Sequence, residues 1–345
     1  MKKKVAIILF NLGGPDKLAS VKPFLFNLFN DEAIIQAPKI IRYLLAKLIS
    51  NKREKTAKEI YSHMGGKSPI FDLTVLQANE LERALYKEKE NYKVFISMRY
   101  WKPFVSETIQ SVKNWNPNNI ILLPLYPQYS TTTTASSIRS WFKESKNIFE
   151  KKETKIICCY PENKHFIKGH VNKIKKKLEE VKNIDPNFSN SILLFSAHGL
   201  PEKIIKSGDP YQHQVELTVN NIMEKLNKNI KHIVCYQSKV GPLKWIEPST
   251  ENIIIKNSKL KKNIIIIPVA FVSEHSETLV ELDIEYKELA KKNGCENYYR
   301  VSALGINKDF ILGLAGLIKK QSESRLLNER ICPSNCNKCF FNETI

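Results

Sequence analysis

Ile192-Leu193-Leu194-Phe195 runs without a polar break into Ser196-Ala197-His198-Gly199-Leu200-Pro201. Four apolar residues closed by a Gly/Pro turn read as a short strand buried on both faces, as in a parallel sheet covered by helices. Ligand sites of such sheets collect outside the carboxyl ends of the strands, which is where His198 falls. A second run, residues 264–269, leads in the same way into Glu274-His275-Ser276-Glu277-Thr278-Leu279. A base that titrates near neutrality and a carboxylate thus stand at two strand ends. That pairing suits removal of protons from a substrate or handling of a divalent metal.

Working outward, further apolar, β-branched runs cover residues 5–10, 94–98, 120–123, 155–159 and 232–235. Helical patterns lie between them, such as residues 74–87 with Leu76, Leu81 and Leu85. Strand alternating with helix predicts an α/β protein with parallel sheets and right-handed crossovers. Two sheets fit, with the changeover near Tyr160-Pro161. The expected organisation is an N-terminal domain 1–160, a C-terminal domain 161–304, a helix within 305–330 that packs back on the body, and a Cys-rich tail 331–345.

The 345 residues carry a formal net charge of +19, mostly as lysine scattered through helices, as at Lys173, Lys175, Lys176 and Lys177. Such lysines either cover solvated helix faces or draw the protein to an anionic membrane or substrate. They form no single stripe and accompany no recognition motif, which argues against nucleic acid. No apolar stretch is long enough to span a bilayer. Met1-Lys2-Lys3-Lys4 resembles the start of a signal peptide, but the apolar run behind it is short and has no cleavage site. The expected location is therefore the cytosol, where the seven cysteines stay reduced unless they bind metal. Residues 23–52 are dense in apolar side chains with Arg42, Lys47 and Lys52 among them. This segment reads either as core helices or as a lip that dips into a membrane interface.

Glu277, Glu281 and Glu285 recur at four-residue steps in a helix expected over residues 276–292, so they share one face. That face is either solvated and balanced by Lys287, Lys291 and Lys292, or a ladder of hard oxygen ligands for a divalent cation. Other stretches offer rings, cations and clearance. These are Asn11-Leu12-Gly13-Gly14-Pro15, Tyr61 to Ser68, Met98-Arg99-Tyr100-Trp101, the hydroxyl-rich residues 129–137, and Tyr236-Gln237-Ser238-Lys239-Val240-Gly241-Pro242 leading to Trp245. Together they suit a large planar aromatic ligand with carboxylate tails. Cys332, Cys336 and Cys339 place three thiols within eight residues, a pattern for Zn²⁺ or an iron–sulfur cluster. A fourth ligand is expected from Cys158 or Cys159, which on a strand point to opposite faces, so that one serves.

The assembled motifs closely resemble the ferrochelatases, enzymes that insert Fe²⁺ into a porphyrin to make haem. The resemblance runs nearly the whole length and is most specific at Leu125-Tyr126-Pro127-Gln128-Tyr129-Ser130, at Phe195 to Pro201, at Tyr236 to Pro242, and from His275-Ser276-Glu277-Thr278-Leu279 to Tyr286. It implies two Rossmann-like chelatase domains with the active cleft between them. It implies that His198 and Glu277 are catalytic and handle the substrate Fe²⁺, with His275, Glu281 and Glu285 along the metal route. Leu12, Tyr61, Ser68, Arg99, Tyr100, Gln237 and Trp245 match residues that line the family's porphyrin pocket; Leu12 stands where some members carry Met. The implied reaction converts protoporphyrin IX to protohaem with release of two protons, without redox change or nucleotide, on a cytoplasmic enzyme peripheral to the inner membrane. Some members hold a [2Fe–2S] cluster on three C-terminal thiolates and one from upstream, here Cys332, Cys336, Cys339 and Cys158 or Cys159. Coproporphyrin III is the alternative substrate. A basic zinc-knuckle nucleic-acid binder leaves His198, Glu277 and the α/β body unexplained, and a haem-binding protein without turnover predicts porphyrin binding alone.

Overall fold

The computed structural model describes residues 2–149, 154–323 and 332–338. The chain divides into two compact units. Of the described residues, the first comprises 2–149, 154–159 and 314–323; the second comprises 160–313 and 332–338.

Each unit is built on a four-stranded parallel sheet, and the order of strands is the same in both. In the first unit β1 (Lys4–Asn11), β2 (Asn91–Met98), β3 (Asn119–Pro124) and β4 (Thr154–Ile156) lie in the order β2-β1-β3-β4. In the second, β5 (Ser191–His198), β6 (Lys231–Gln237), β7 (Asn263–Pro268) and β8 (Tyr298–Arg300) lie in the order β6-β5-β7-β8. The connecting helices are α1 (Val21–Phe29), α2 (Lys39–Ser62), α3 (Ile70–Leu85), α4 (Val105–Trp115) and α5 (Thr134–Ser145) in the first half of the chain. They continue as α6 (Lys164–Lys182), α7 (Glu202–Lys206), α8 (Tyr211–Leu226), α9 (Thr250–Lys259), α10 (Tyr286–Lys292) and α11 (Lys308–Glu323).

The central strands are apolar on both faces because helices cover both. Ile192, Leu194, Ile264 and Ile266 pack with Ile254 of α9 and with Leu282, Tyr286 and Ala290. Each such side chain, fully buried, contributes roughly 1.5–3 kcal/mol. The lysines fall where a helix faces water. On α6, Phe166, Ile167, Val171, Ile174, Leu178 and Val181 are buried, while Lys175 and Lys176 are exposed. Asn163 starts this helix by accepting the backbone N–H groups of His165 and Phe166 at 3.1 and 3.0 Å.

Three elements differ from the sequence expectation. The fourth strand stops at Ile156, so Cys158 and Cys159 lie beyond it. Their sulfurs approach to 3.4 Å, so the opposite-face argument for choosing one of them does not hold. The short strand β8 is absent from the sequence reading. The helix expected over 276–292 is a π-helix over Glu277–Glu285 that tightens into α10. No helix of the described residues is long and apolar enough to cross a membrane.

Residues 23–52 divide into a buried part and an exposed part. Phe24, Leu25 and Phe29 of α1 are buried in a cluster with Ala46, Tyr61 and Tyr100. Ile40, Ile41, Tyr43, Leu44 and Leu48 of α2 are exposed, Ile40 by 77% and Leu48 by 64%.

Candidate active site

His198 is the last residue of β5, and parallel register sets it beside Gln237, the last of β6. Its Nδ1 lies 2.9 Å from Glu277 Oε2. Glu277 opens the π-helix, which is anchored to the core of the same sheet through Leu282. The pairing of strand end and helix start predicted from sequence is therefore formed within one unit.

The geometry fixes the state of both imidazoles. A carboxylate at Nδ1 holds the His198 proton there when the ring is neutral and leaves the Nε2 lone pair to accept a proton or a metal. Among the described residues nothing else bonds that ring. Burial opposes charge on His198, but the Glu277 carboxylate, helped by Glu281, outweighs it and raises the basicity above that of an ordinary histidine. Burial likewise opposes the Glu277 charge, and His198, with His275 and Ser238 behind it, pulls this carboxyl down to about 2. Glu277 is thus a fixed anion. His275 is different: its ring Nδ1 accepts the backbone N–H of Glu277 at 3.1 Å, while its backbone N–H donates to Thr278 Oγ1 at 3.0 Å. These reciprocal bonds cap the helix that carries Glu277. With Nδ1 accepting, the ring proton belongs on Nε2. Nδ1 of His275 is thereby taken up by a protein donor, and burial lowers the basicity of this ring.

The other expected residues separate by unit. In the second, the Trp245 ring stands 6.1 Å from the His198 ring at 68°. Gly199 makes this approach feasible, since a Cβ there would lie 3.0 Å from both the Trp245 ring and the Gln237 carbonyl. Gln237 is buried, and its Oε1 accepts the Ser196 hydroxyl while its Nε2 donates to the Glu277 carbonyl and to Glu281. Its side-chain amide is thus bonded to Ser196, Glu277 and Glu281. Glu281 accepts from Ser238, Gln237 and Tyr286, and Glu285 is exposed.

In the first unit Leu12, Tyr61 and Tyr100 share one apolar cluster. Ser68 packs against Gly14, where a Cβ would fall 2.5 Å from the Ser68 Cβ. Arg99 lies over the Tyr100 ring at 5.2 Å and is paired with buried Asp31 at 2.9 Å. Asp31 Oδ2 also accepts the hydroxyls of Tyr100 and Ser136, at 2.8 and 2.5 Å.

Sequence reading missed Asp31, Glu274 and Arg300. Arg300, at the end of β8, reaches both oxygens of Glu274 at 3.0 Å and Asp283 at 2.7 Å, and so grips the π-helix segment from both ends. The only sequence signal was an uncompensated Arg after two tyrosines, which does not reveal its partners.

Of the tail thiols, Cys332 and Cys336 are buried against each other, and Gln214 Nε2 lies 3.1 Å from Cys332 Sγ. Cys339 lies outside the described residues. Among the described residues no three His, Cys, Asp or Glu side chains are grouped to hold a metal ion.

Comparison with known proteins shows the family. The family model for ferrochelatase matches residues 4–322. The ferrochelatase of Pelagibacter ubique (strain HTCC1062) is 55% identical over 344 residues, covering 97% of this chain and 98% of that protein. The ferrochelatase of Rickettsia bellii (strain OSU 85-389) is 50% identical over 98% of this chain and 95% of its own length. Among solved structures, the cobalt complex of the sirohydrochlorin chelatase SirB from Bacillus subtilis subspecies spizizenii superposes with a TM-score of 0.54 at 9% identity, covering 94% of this chain and 97% of that one. SirB from Bacillus subtilis with Fe³⁺ gives 0.52 at 11% identity, covering 93% and 96%. At that identity the structural likeness speaks for the fold alone, but the sequence relatives and the family model settle the question of kinship. The chain belongs to the ferrochelatase family, enzymes that insert iron into a porphyrin.

Proposed function

We propose that this chain converts protoporphyrin IX and Fe²⁺ to protohaem and two protons, with His198 and Glu277 as the reacting pair. The observation that carries this is the 2.9 Å contact between His198 Nδ1 and Glu277 at the carboxyl end of a central strand. The pyrrole N–H protons of a flat macrocycle lie in its plane, so walls that bend the ring make them accessible to a base. His198 Nε2 takes a proton, and Glu277, held anionic, stabilises the imidazolium that forms. That proton passes to solvent, the second pyrrole proton leaves by the same route, and Nε2 can then receive the cation while Glu277 on Nδ1 balances its charge. Leu12, Tyr61, Ser68, Arg99, Tyr100 and Trp245 are the walls in this reading, and Glu285, at the exposed end of the helix, is its outer cation contact.

Protoporphyrin is favoured over the more polar coproporphyrin III by the exposed apolar stretch Ile40, Ile41, Leu44 and Leu48, flanked by Lys39, Arg42 and Lys47. Such a helix suits peripheral attachment to an anionic bilayer, the place where an apolar porphyrin partitions. The thiols of Cys332, Cys336, Cys339 and Cys158 or Cys159 are the set for a [2Fe–2S] cluster. The buried Cys332–Cys336 pair, with an amide donor on the Cys332 sulfur, fits thiolate ligation. When bound, such a group supplies a one-electron centre and a covalent staple for the tail; chelation does not pass through it.

The test is anaerobic incubation with protoporphyrin IX and Fe²⁺, or Zn²⁺ as a stable surrogate, following the Soret band, beside His198→Ala and beside coproporphyrin III. Metalloporphyrin formation by the wild type and its loss in the variant are expected. Faster turnover of coproporphyrin III reverses the substrate assignment, and a wild type no faster than the uncatalysed reaction removes the reading.

A further inference from the structure

The π-helix sets Glu277, Glu281 and Glu285 four residues apart, and a ladder reading makes each a station for a cation. The middle carboxylate is bonded in a way that does not suit that task. Its Oε1 accepts the backbone N–H of Ser238 and the phenol of Tyr286, both at 2.9 Å. Its Oε2 accepts the Ser238 hydroxyl at 2.6 Å and the Gln237 amide at 2.9 Å. A carboxylate offers about four lone-pair sites, and each here holds a donor from the protein. A cation at Glu281 must displace some of them and leave buried donors unpaired.

Three of the four donors come from Gln237-Ser238, at and just past the end of β6. The bonds therefore tie a strand end to the second turn of the helix. Gln237 is itself anchored by Ser196, and its amide also reaches the carbonyl of Glu277 at 3.0 Å. Glu277 is thus fixed one turn away from a fully occupied clamp. A π-helix is rare as an extended element and depends on its surroundings to persist. This clamp, on top of the Arg300 pairs, is that support.

We infer that Glu281 is a positioning residue: held by Ser238, Gln237 and Tyr286, its carboxylate sets the π-helix so that Glu277 meets His198, and it does not coordinate the metal substrate. The inference rests on the chelatase reading, which wild-type turnover tests separately.

The experiment is metal-saturation kinetics at fixed protoporphyrin IX, with Zn²⁺ and with anaerobic Fe²⁺, for wild type, Glu281→Gln, Ser238→Ala and Tyr286→Phe, each with a thermal melt. Glu281→Gln is expected to lower kcat by tenfold or more, with KM for the metal within about twofold, because small misplacements of reacting groups cost up to about a hundredfold. Ser238→Ala and Tyr286→Phe keep the carboxylate yet lower kcat in the same way by smaller factors, and combining either with Glu281→Gln adds little. A rise of tenfold in metal KM at preserved kcat in Glu281→Gln overturns the inference. So do donor variants indistinguishable from wild type beside an impaired Glu281→Gln. If Glu281→Gln does not fold, the donor variants decide: a fall in kcat supports the clamp, and a tighter metal KM, from a carboxylate freed to ligate, refutes it. An inactive wild type counts against the functional reading instead.

Discussion

Asn11 and His198 are topological equivalents, each the last residue of the central strand in a sheet of the same order. Asn11 is buried; its amide nitrogen donates to Thr74 and its oxygen accepts the N–H of Leu12. His198 has a carboxylate on one nitrogen and, among the described residues, nothing on the other. The neighbouring charge pairs differ in the same sense. Asp31 and Arg99 close on each other with Tyr100 and Ser136 filling the gaps, whereas the partner of Glu277 keeps a lone pair in hand. One topology therefore yields a closed polar strand end in the first unit and an open one, the reactive group of the function proposed above, in the second. The difference lies in whether the polar atoms at the strand ends are all spoken for.

The sharpest way to break this contrast is to exchange the reactive group. His198→Ala and Glu277→Gln should each lower chelation by about 10²–10⁴-fold, the usual contribution of a positioned acid or base. Measured as initial rates of Zn²⁺ insertion, a loss under tenfold for both would mean that the open end is not the reactive one. Asp31→Ala should do the opposite. It leaves the Arg99 charge and two hydroxyls facing an empty site, so it should cost about 3–5 kcal/mol of stability, read from the guanidinium midpoint. If Asp31→Ala abolished turnover while leaving the midpoint in place, the first unit would not be merely a wall. Gly199→Ala tests the approach of Trp245. A new Cβ 3.0 Å from that ring and from the Gln237 carbonyl has to push one of them aside. About 1–3 kcal/mol of overpacking is expected, together with weaker porphyrin binding by fluorescence quenching.

The contrast was half legible in the sequence. Ile192 to Phe195 and the four isoleucines of β7 announce buried parallel strands, because nothing else tolerates such runs in a chain with this much charge. His198 and Glu277 stand out because each follows one of them. Arg99 is visible as a cation at a strand end, but Asp31 is not visible as its partner, since it lies in the connection after α1 and the pairing is purely tertiary. The same holds for β8: Tyr298–Arg300 is short and half-buried, and only its bonds to β7 and its ion pairs make it an element. The π-helix is hidden for a related reason. Glu277, Glu281 and Glu285 at four-residue steps read as one face of an α-helix, and the partners that hold the wider turn, Ser238, Gln237 and Arg300, come from elsewhere in the fold. Cys158 and Cys159 misled because alternation applies only inside a strand, and the strand ends before them.

The smallest effect lies at the other end of β5, where the comparison can be made along a single strand. Before its first residue, Asp185 is buried and accepts the N–H groups of Ser189 and Asn190 at 3.1 and 2.9 Å and the Ser191 hydroxyl at 2.7 Å. Burial works against this carboxylate, but the Ser191 hydroxyl and the two backbone donors outweigh it and hold its pKa below the ordinary aspartate value. A group whose pKa is depressed on folding stabilises the native state above its unfolded value, and that contribution disappears as pH falls through the folded value. Asp185→Asn should therefore cost about 1.5–3 kcal/mol at neutral pH, the scale of a hydrogen bond to a charged acceptor. The deficit relative to wild type should shrink as the pH is taken down through the carboxylate range. Metal insertion at neutral pH should be unchanged, since the residue belongs to the closed end of the strand whose open end carries His198. Guanidinium midpoints for both proteins across that range decide it. A deficit that stays constant into acid would show that the turn needs the shape of the side chain and not its charge. Lost turnover at an unchanged midpoint would show that the two ends of β5 are not independent.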